Sequence, residues 1–207
     1  MGEGVKGKTS RTTDGGRMVE GQRLEVLPAT ADRWTDLEKL FGKSGAYSGC
    51  WCMYWRVSSN EFAANGNAGN RTALERLTGS GIVPGLLGYR DGEPVGWISL
   101  APREQYGRLQ RSPKLKPVDD QPVWAVVCFF VHREHRGRGV AGGLLDGAIA
   151  YARSNGATVI EAYPPDSGAD RLADPAAYMG TVSLFRRAGF REIARRGPKR
   201  PIFRLTL

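Results

Sequence analysis

The feature that most constrains the fold is a long apolar run near the middle of the chain. Residues 123–131 read VWAVVCFFV, a continuous series of β-branched, aromatic and small apolar side chains. A run of this length without polar alternation is typical of a strand that is covered on both faces. We therefore expect Val123–Val131 to form the central strand of a sheet, with other layers packed above and below it.

A glycine-rich turn and an amphipathic helix follow this strand. From Val140 the apolar residues recur at helical spacing, and Asn155-Gly156 would end the helix with residues that tolerate a left-handed conformation. The start of the helix contains four glycines: Gly137, Gly139, Gly142 and Gly143. Each glycine inside a helix costs about 1 kcal/mol relative to alanine. A phosphate on the helix N-terminus would offset this cost, because glycine lets the anion approach the unpaired backbone N–H groups.

The residues at this turn resemble a known family. Arg136-x-x-Gly139-x-Ala141 matches the R/Q-x-x-G-x-G/A signature of the GNAT superfamily of acyl-CoA N-acyltransferases, in its usual place after an apolar strand. The order of predicted elements over Leu24–Leu207 also fits. The resemblance implies an α/β (α+β) fold, with a mixed, mostly antiparallel twisted sheet of about seven strands that splays between the fourth and fifth, flanked by about four helices. A Rossmann site would instead need a repeated βαβ array, which the pattern lacks.

The resemblance also implies acetyl-CoA as co-substrate. Its diphosphate would lie on the glycine-rich turn, where Arg136 and Arg138 add charge-assisted contacts, and its pantetheine arm would lie in the gap beside the end of the central strand. The residues assigned to this binding are Phe129, Val131, Arg136, Gly137, Arg138, Gly139, Val140, Ala141, Gly142 and Phe185.

Two residues are predicted to carry the acid–base chemistry. Glu161 is a carboxylate in an otherwise apolar segment beside the expected cofactor gap, and it is the preferred general base, with His132 as a second candidate. The family commonly protonates the leaving thiolate with a tyrosine, but Phe185 stands at that position. Tyr178 is therefore the preferred acid, with Ser183 or solvent as alternatives. A structural explanation also stays open for both: Glu161 facing an arginine or solvent, and Tyr178 serving only in packing.

An aromatic and sulfur-rich segment is the expected acceptor site. Gly49–Arg56 reads GCWCMYWR, and the resemblance places this region at a wall of the acceptor pocket, with Trp51, Tyr54 and Trp55 as candidate contacts. A simple hydrophobic cluster is the alternative. These aromatic residues and scattered loop acids such as Asp119-Asp120 suggest an aminosugar as one acceptor class.

The remaining elements are predicted from local patterns. They are a strand over Arg23–Leu27, a helix ending at Phe41, a polar run Asn60–Arg71 leading into a helix over Thr72–Thr78, strands Leu86–Arg90 and Pro94–Ala101, a surface flap Pro102–Pro122, a strand Ala157–Tyr163, a loop Pro164–Ala177, a helix Gly180–Ala188 and strands beginning at Gly189-Phe190 and Pro201.

Composition limits the setting and the partners. The first residues, 1–22, have almost no apolar side chains and are expected to be a disordered tail, leaving 23–207 as one N-acetyltransferase domain.

No apolar run approaches the roughly 20 residues of a membrane span, so a cytoplasmic protein is the default. The three cysteines fit a reducing compartment. No metal is expected at Cys50 and Cys52.

The formal charge of +9 fits attraction of a phosphorylated co-substrate, and direct nucleic-acid binding is the less favoured explanation because the basic residues are scattered. The expected activity is N-acetylation of a primary amine on a small molecule or peptide. The alternatives are acetylation of a protein or aminoacyl-tRNA amine, and a non-catalytic GNAT-fold sensor of acyl-CoA. A homodimer is one possible assembly.

Overall fold

The computed structural model describes Met1, residues 24–166, Gly168 and residues 178–207. Apart from Met1, the predicted tail 1–22 lies outside these residues, as does most of the predicted loop Pro164–Ala177. The domain boundary at residue 23 therefore stays a prediction.

The described residues form one seven-stranded sheet in the order β1-β2-β3-β4-β5-β7-β6. Its strands are β1 (Glu25–Pro28), β2 (Leu86–Arg90), β3 (Glu93–Pro102), β4 (Trp124–Val131), β5 (Val159–Ala162), β6 (Arg191–Arg195) and β7 (Pro201–Thr206). Neighbouring strands are antiparallel except β4 and β5, which are parallel. The predicted mixed, mostly antiparallel sheet with a central β4 is confirmed.

Five α-helices lie in the described part of the chain: α1 (Trp34–Phe41), α2 (Ser59–Gly79), α3 (Gly107–Arg111), α4 (Val140–Ser154) and α5 (Val182–Arg187). Short 3-10 helices span Ala31–Arg33, Arg103–Gln105 and Arg133–His135. The sequence predicts about four helices; the additional one, α3, lies in the segment predicted as a surface flap.

Helix α2 begins well before its predicted start. The polar run Asn60–Arg71 is helical, with a break in helical geometry only at Gly66, where φ is 56°. The Ser58 hydroxyl accepts a hydrogen bond from the Glu61 N–H at 3.2 Å and caps the helix start. The predicted helix start at Thr72 was wrong because asparagine and glycine have low helix propensity, and the tertiary fold overrides that propensity here.

The sheet is covered on both faces, as a fully apolar central strand requires. Helix α4 packs against one face, and α1 packs against the other around Trp97, which is fully buried. The residues that α4 buries are those at the predicted helical spacing: Val140, Leu144, Leu145, Ala148 and Ala152. The two faces near the end of β4 are therefore separate environments, and each carries its own cavity.

Candidate active site

A split in the sheet at β4 creates the candidate site. Strands β4 and β5 pair only from Trp124 with Ile160 to Val126 with Ala162. Opposite β3, the register of β4 skips Val127, since Leu100 pairs with Val126 and Ser99 with Cys128. An extra residue of this kind bends the strand that carries it and increases its twist. The second half of β4 therefore diverges from β5, and its outer backbone edge faces a gap.

One cavity, which we call the donor cavity, lies at the start of α4 and has a volume of about 600 Å³. Seven of the predicted cofactor residues line it: Val131, Arg136, Gly137, Gly139, Val140, Ala141 and Gly142. The sequence does not predict its remaining walls, which come from His135, Leu145 and Asp146 and, on α5, from Leu184, Arg187 and Ala188. The α5 residues escape prediction because only the folded chain brings α5 beside α4.

The donor cavity has the chemistry of an anion site. Gly139 precedes α4 with φ at 77°, a left-handed conformation, and no side chain caps the helix or places an acid in its first turn. A Cβ at Gly139 or Gly142 would meet no described atom within 4 Å, so these glycines leave open space beside the helix N–H groups. The Nδ1 atom of His135 is buried and has no partner among the described residues. These residues fit a diphosphate on the helix N-terminus.

Arginines reinforce this end of the helix. Arg136 Nε donates to the Val131 carbonyl at 3.1 Å, and Arg90 Nη2 donates to the Arg138 carbonyl at 2.7 Å. Both bonds fix the turn and bring positive charge close to it. Arg138 itself does not line the cavity, so its predicted contact is not visible in this arrangement.

The two predicted phenylalanines lie beneath the gap rather than in the cavity wall. Phe129 and Phe185 are buried in the core on the α4 side, with ring centroids 5.9 Å apart. Phe129 reaches the gap through its backbone: its N–H donates to the carbonyl of Tyr178. The strand edge that the resemblance assigns to the pantetheine arm is therefore bonded at this point to a neighbouring segment of the chain.

A second cavity, which we call the acceptor pocket, lies on the other face of β4 and has a volume of about 630 Å³. Val127, Cys128 and Phe130 of β4 form its floor. Its walls come from the α1–α2 loop and α2 (Ala46, Tyr47, Ser48, Cys50, Cys52, Tyr54, Trp55, Phe62), the flap (Ser112, Lys114, Leu115) and two later segments (Tyr178, Met179, Arg200). An apolar pocket of this size with few polar groups is typical of small-molecule sites.

Tyr54 and Trp55 line the acceptor pocket as predicted, but Trp51 does not. Trp51 is only 4% exposed, stacks on Trp34 with centroids 6.0 Å apart and donates from Nε1 to Asn67 Oδ1 at 2.6 Å. Its prediction as a pocket residue is corrected to a role in fixing the loop. The sequence of the aromatic cluster does not show which of its rings are buried. Their burial depends on contacts with α2, and the sequence does not predict the first part of that helix.

The loop that forms this wall is held in an unusual conformation. Ala46, Ser48, Trp51 and Cys52 all have positive φ, which is uncommon for residues other than glycine and clusters at functional sites. Buried bonds hold the loop, including Asn70 Nδ2 to the Gly49 carbonyl (3.0 Å) and Trp97 Nε1 to Cys52 Sγ (2.9 Å).

Tyr178 lines the acceptor pocket and also contacts the strand edge at the gap. Its ring lines the acceptor pocket between Phe130, stacked at 6.5 Å, and Tyr47 at 5.3 Å, and its carbonyl accepts the Phe129 N–H in the gap. The other predicted acid–base candidates, His132 and Ser183, line neither cavity.

Glu161 occupies a different environment from the one the sequence predicts. It is 1% exposed and lies opposite Ala125, in the paired part of β4 and β5 before the split, and it lines neither described cavity. Its Oε1 accepts from Arg204 Nε at 2.8 Å, and its Oε2 accepts from the Tyr163 hydroxyl at 2.6 Å. Arg103 Nε lies 3.7 Å from Oε2. The expectation of a lone carboxylate beside the cofactor gap is therefore corrected: Glu161 is the centre of a buried ion-pair network.

Tyr163 supports this structural role. Burial, and then the charge of Glu161, raise the pKa of the Tyr163 hydroxyl well above its usual range. The hydroxyl thus stays protonated and donates to the carboxylate, while Arg103 Nε donates to the same hydroxyl oxygen at 3.1 Å.

Two of the described loop acids pair with arginines, and no described loop acid lines the acceptor pocket. Asp119 receives two hydrogen bonds from Arg204, at 2.6 and 2.7 Å, and Asp166 pairs with Arg195 at 2.9 Å. The loop acids that suggest an aminosugar from the sequence are therefore not in the pocket, as far as the described residues go.

Comparisons with known proteins agree with the fold. The model of the acetyltransferase (GNAT) family matches residues 48–176, which include the acceptor-pocket loop, β4 and the glycine-rich turn. This geometry defines a class of protein. It is an α/β domain with a split strand, an anion site on one side of that strand and an apolar pocket on the other. The chain belongs to the acetyltransferase (GNAT) family. No curated protein gives a significant match to the sequence.

Solved structures share the whole architecture. PaiA N-acetyltransferase from Thermoplasma acidophilum, solved with coenzyme A, superposes with a TM-score of 0.52 at 13% identity, covering 89% of this chain and 99% of that one. An agmatine N-acetyltransferase gives 0.51 at 13% identity, with 89% and 100% covered. The ribosomal-protein-alanine N-acetyltransferase of Brucella melitensis gives 0.50 at 18% identity, with 88% and 99% covered. At these identities the likeness shows the fold.

The described residues offer neither a membrane span nor a metal cluster. Within the described ranges, no helix is both long and apolar enough to cross a bilayer. Nor do three or more described His, Cys, Asp or Glu side chains meet in a group suited to a metal ion.

Proposed function

We propose that this protein is an acetyl-CoA-dependent N-acetyltransferase of the cytoplasm that acts on a primary amine bound in the acceptor pocket. The observation that carries the proposal is the arrangement around the end of β4. An anion site built on the start of α4 lies on one side, an apolar pocket lies on the other, and the edge of the strand faces the gap between them.

Acetyl-CoA would supply an acetyl thioester: the new C–N bond replaces the C–S bond, and the proton that the amine loses balances the one that the leaving thiolate gains. The turn from Gly137 to Gly142 would hold the diphosphate through its N–H groups. The Phe129 N–H would donate to the carbonyl that becomes negatively charged, exchanging its present bond to Tyr178 for this one.

The transfer is expected to be direct, without an acylated cysteine. All three cysteines line the acceptor pocket. The side-chain contact with Cys52, and then burial, raise the pKa of Cys50; the contact with Cys128, together with burial, raises that of Cys52. Cys128 Sγ contacts Cys52 Sγ at 3.5 Å, and no described histidine or carboxylate lines the pocket to activate it.

Direct transfer predicts that acetyl-CoA alone leaves the protein unmodified. After incubation without an amine, intact-mass spectrometry should show no added acetyl group, and free thiol should not appear above the rate without protein. A stoichiometric acetyl adduct on Cys128 would instead establish a covalent route.

Tyr178 is the proposed proton donor to the leaving thiolate. Tyr178→Phe should lower kcat about 100-fold, while the Kd for coenzyme A stays unchanged because the ring contacts and the backbone carbonyl remain. Tyr47→Phe is the matched control, since Tyr47 packs against Tyr178 in the same pocket, and it should change kcat far less. Wild-type kcat in Tyr178→Phe would show that solvent or another group supplies the proton.

A non-catalytic acyl-CoA sensor is the second candidate. The bond between the Phe129 N–H and the Tyr178 carbonyl favours it, because this bond occupies the donor group that the reaction needs. Thiol release from acetyl-CoA across a panel of amines distinguishes the two. An acetyltransferase releases coenzyme A with at least one amine, whereas a sensor binds coenzyme A in calorimetry and releases none.

A further inference from the structure

The acceptor pocket has a strongly aromatic and apolar wall. Tyr47, Tyr54, Trp55, Phe130 and Tyr178 contribute rings, and Leu115 and Met179 close the sides. Such a wall binds an aromatic or large apolar body by removing both surfaces from water. A small or fully hydrated amine would leave most of this wall uncovered.

Two positive side chains line this pocket, and no acid of the described residues pairs with them. Lys114 and Arg200 line the acceptor pocket, and neither makes an ion pair with any described residue. A third cation, Arg108, lies over the Tyr54 ring, 3.9 Å from its centroid, and its Nη2 is buried with no described partner. Nearby arginines such as Arg195 and Arg204 are paired with acids. Arg200 is thus a half-buried guanidinium at the pocket whose side-chain donors have no partner among the described residues.

No Asp or Glu of the described ranges contributes to the pocket wall. An acceptor with several ammonium groups would meet Lys114 and Arg200 without any described carboxylate to offset the repulsion. Like charges brought together at a binding surface repel each other, so such ligands should bind poorly.

We propose that the acceptor is an amine that carries one anionic group, a carboxylate or a phosphate, beside an aromatic or large apolar body, and that Arg200 and Lys114 bind the anion. This inference rests on the proposed acetyltransferase function and specifies its substrate class. A guanidinium forms paired, charge-assisted hydrogen bonds with carboxylate or phosphate oxygens, so Arg200 is the principal specificity residue.

Matched amines test the proposal directly. Phenylalanine and phenethylamine share one aromatic body and differ by the carboxylate; pyridoxamine 5′-phosphate carries a phosphate; spermidine and kanamycin are polycations. Thiol release from acetyl-CoA should give kcat/KM for phenylalanine, for pyridoxamine 5′-phosphate or for both at least about tenfold above that for phenethylamine, as expected for charged hydrogen bonds. Whichever anionic amine is preferred identifies carboxylate or phosphate as the group recognised.

Variants of two arginines separate recognition from general structure. Arg200→Gln should raise KM for the preferred anionic amine at least about tenfold more than it raises KM for phenethylamine. Arg191→Gln removes the same charge from an exposed position on β6 outside the pocket and should change neither. Calorimetry of the anionic amine with the coenzyme A complex should show the same loss of affinity for Arg200→Gln only.

Three outcomes would overturn the inference. Phenethylamine or the polycations could be better acceptors than both anionic amines. Arg200→Gln could alter the matched amines equally, which would make Arg200 structural. If none of the amines gives thiol release although calorimetry shows coenzyme A bound, the proposed function itself is contradicted. The inference then fails with it.

Discussion

Gly142→Asp should abolish coenzyme A binding while the fold stays intact. Gly142 is the third residue of α4, its φ is not in the left-handed region, and a Cβ there would meet no described atom within 4 Å. A carboxylate in the first turn of a helix is favourable by about 0.3–1 kcal/mol, so the free energy of unfolding should not fall. The same carboxylate would stand where the diphosphate binds. The Kd for coenzyme A in calorimetry should rise at least 100-fold, because like charges in contact cost several kcal/mol.

Two alanine variants on the same helix control this result. Gly142→Ala fills the open space without charge and should weaken coenzyme A binding less than Gly142→Asp does. Gly147→Ala should give the opposite pattern, because its Cβ would lie 2.6 Å from Val26 Cβ; overpacking of this kind costs about 1–3 kcal/mol of stability and leaves the donor cavity untouched. Wild-type affinity in a folded Gly142→Asp variant would show that coenzyme A does not use this helix terminus.

Glu161→Ala should destabilise the fold by about 3–5 kcal/mol, the usual result of removing one partner from a buried ion pair. It would leave the Tyr163 hydroxyl without its acceptor and Arg103, which is 4% exposed, without its counter-charge. Urea unfolding monitored by circular dichroism measures the change. Glu192→Ala is the control: Glu192 pairs with Arg195 at the surface, 2.6 Å away, and its loss should cost at most about 1 kcal/mol.

Kinetics decide between this structural role and general base catalysis. If Glu161 only stabilises the fold, Glu161→Gln retains wild-type kcat per folded molecule, and its pH–rate profile does not move. If Glu161→Gln kept full stability and lost turnover, the base assignment made from the sequence would be restored.

The parts of the site that the sequence predicts are those in which local pattern and ligand chemistry coincide. The run from Val123 to Val131, the glycines after it and the apolar spacing of α4 lie next to one another in the chain. One strand, one turn and one helix therefore follow from periodicity and from the cost of helical glycine. Seven of the ten residues named for the co-substrate line the donor cavity for this reason.

The residues that the sequence misplaces depend on partners far away in the chain. Glu161 reads as a lone carboxylate until the sheet brings Arg204 beside it and the segment after β3 supplies Arg103. The buried position of Trp51 depends on Asn67, which accepts a hydrogen bond from its Nε1 and lies in the part of α2 that the sequence does not predict as helical. Arg200 carries no local motif, and only the folded chain brings it to the same pocket as Lys114.

A crystal structure of the chain with acetyl-CoA tests the account most directly. We expect the diphosphate within hydrogen-bonding distance of the N–H groups from Gly137 to Gly142, and the thioester carbonyl on the Phe129 N–H in place of Tyr178. A diphosphate bound elsewhere, or a Phe129 N–H still bonded to Tyr178 with the acetyl group outside the gap, would contradict it.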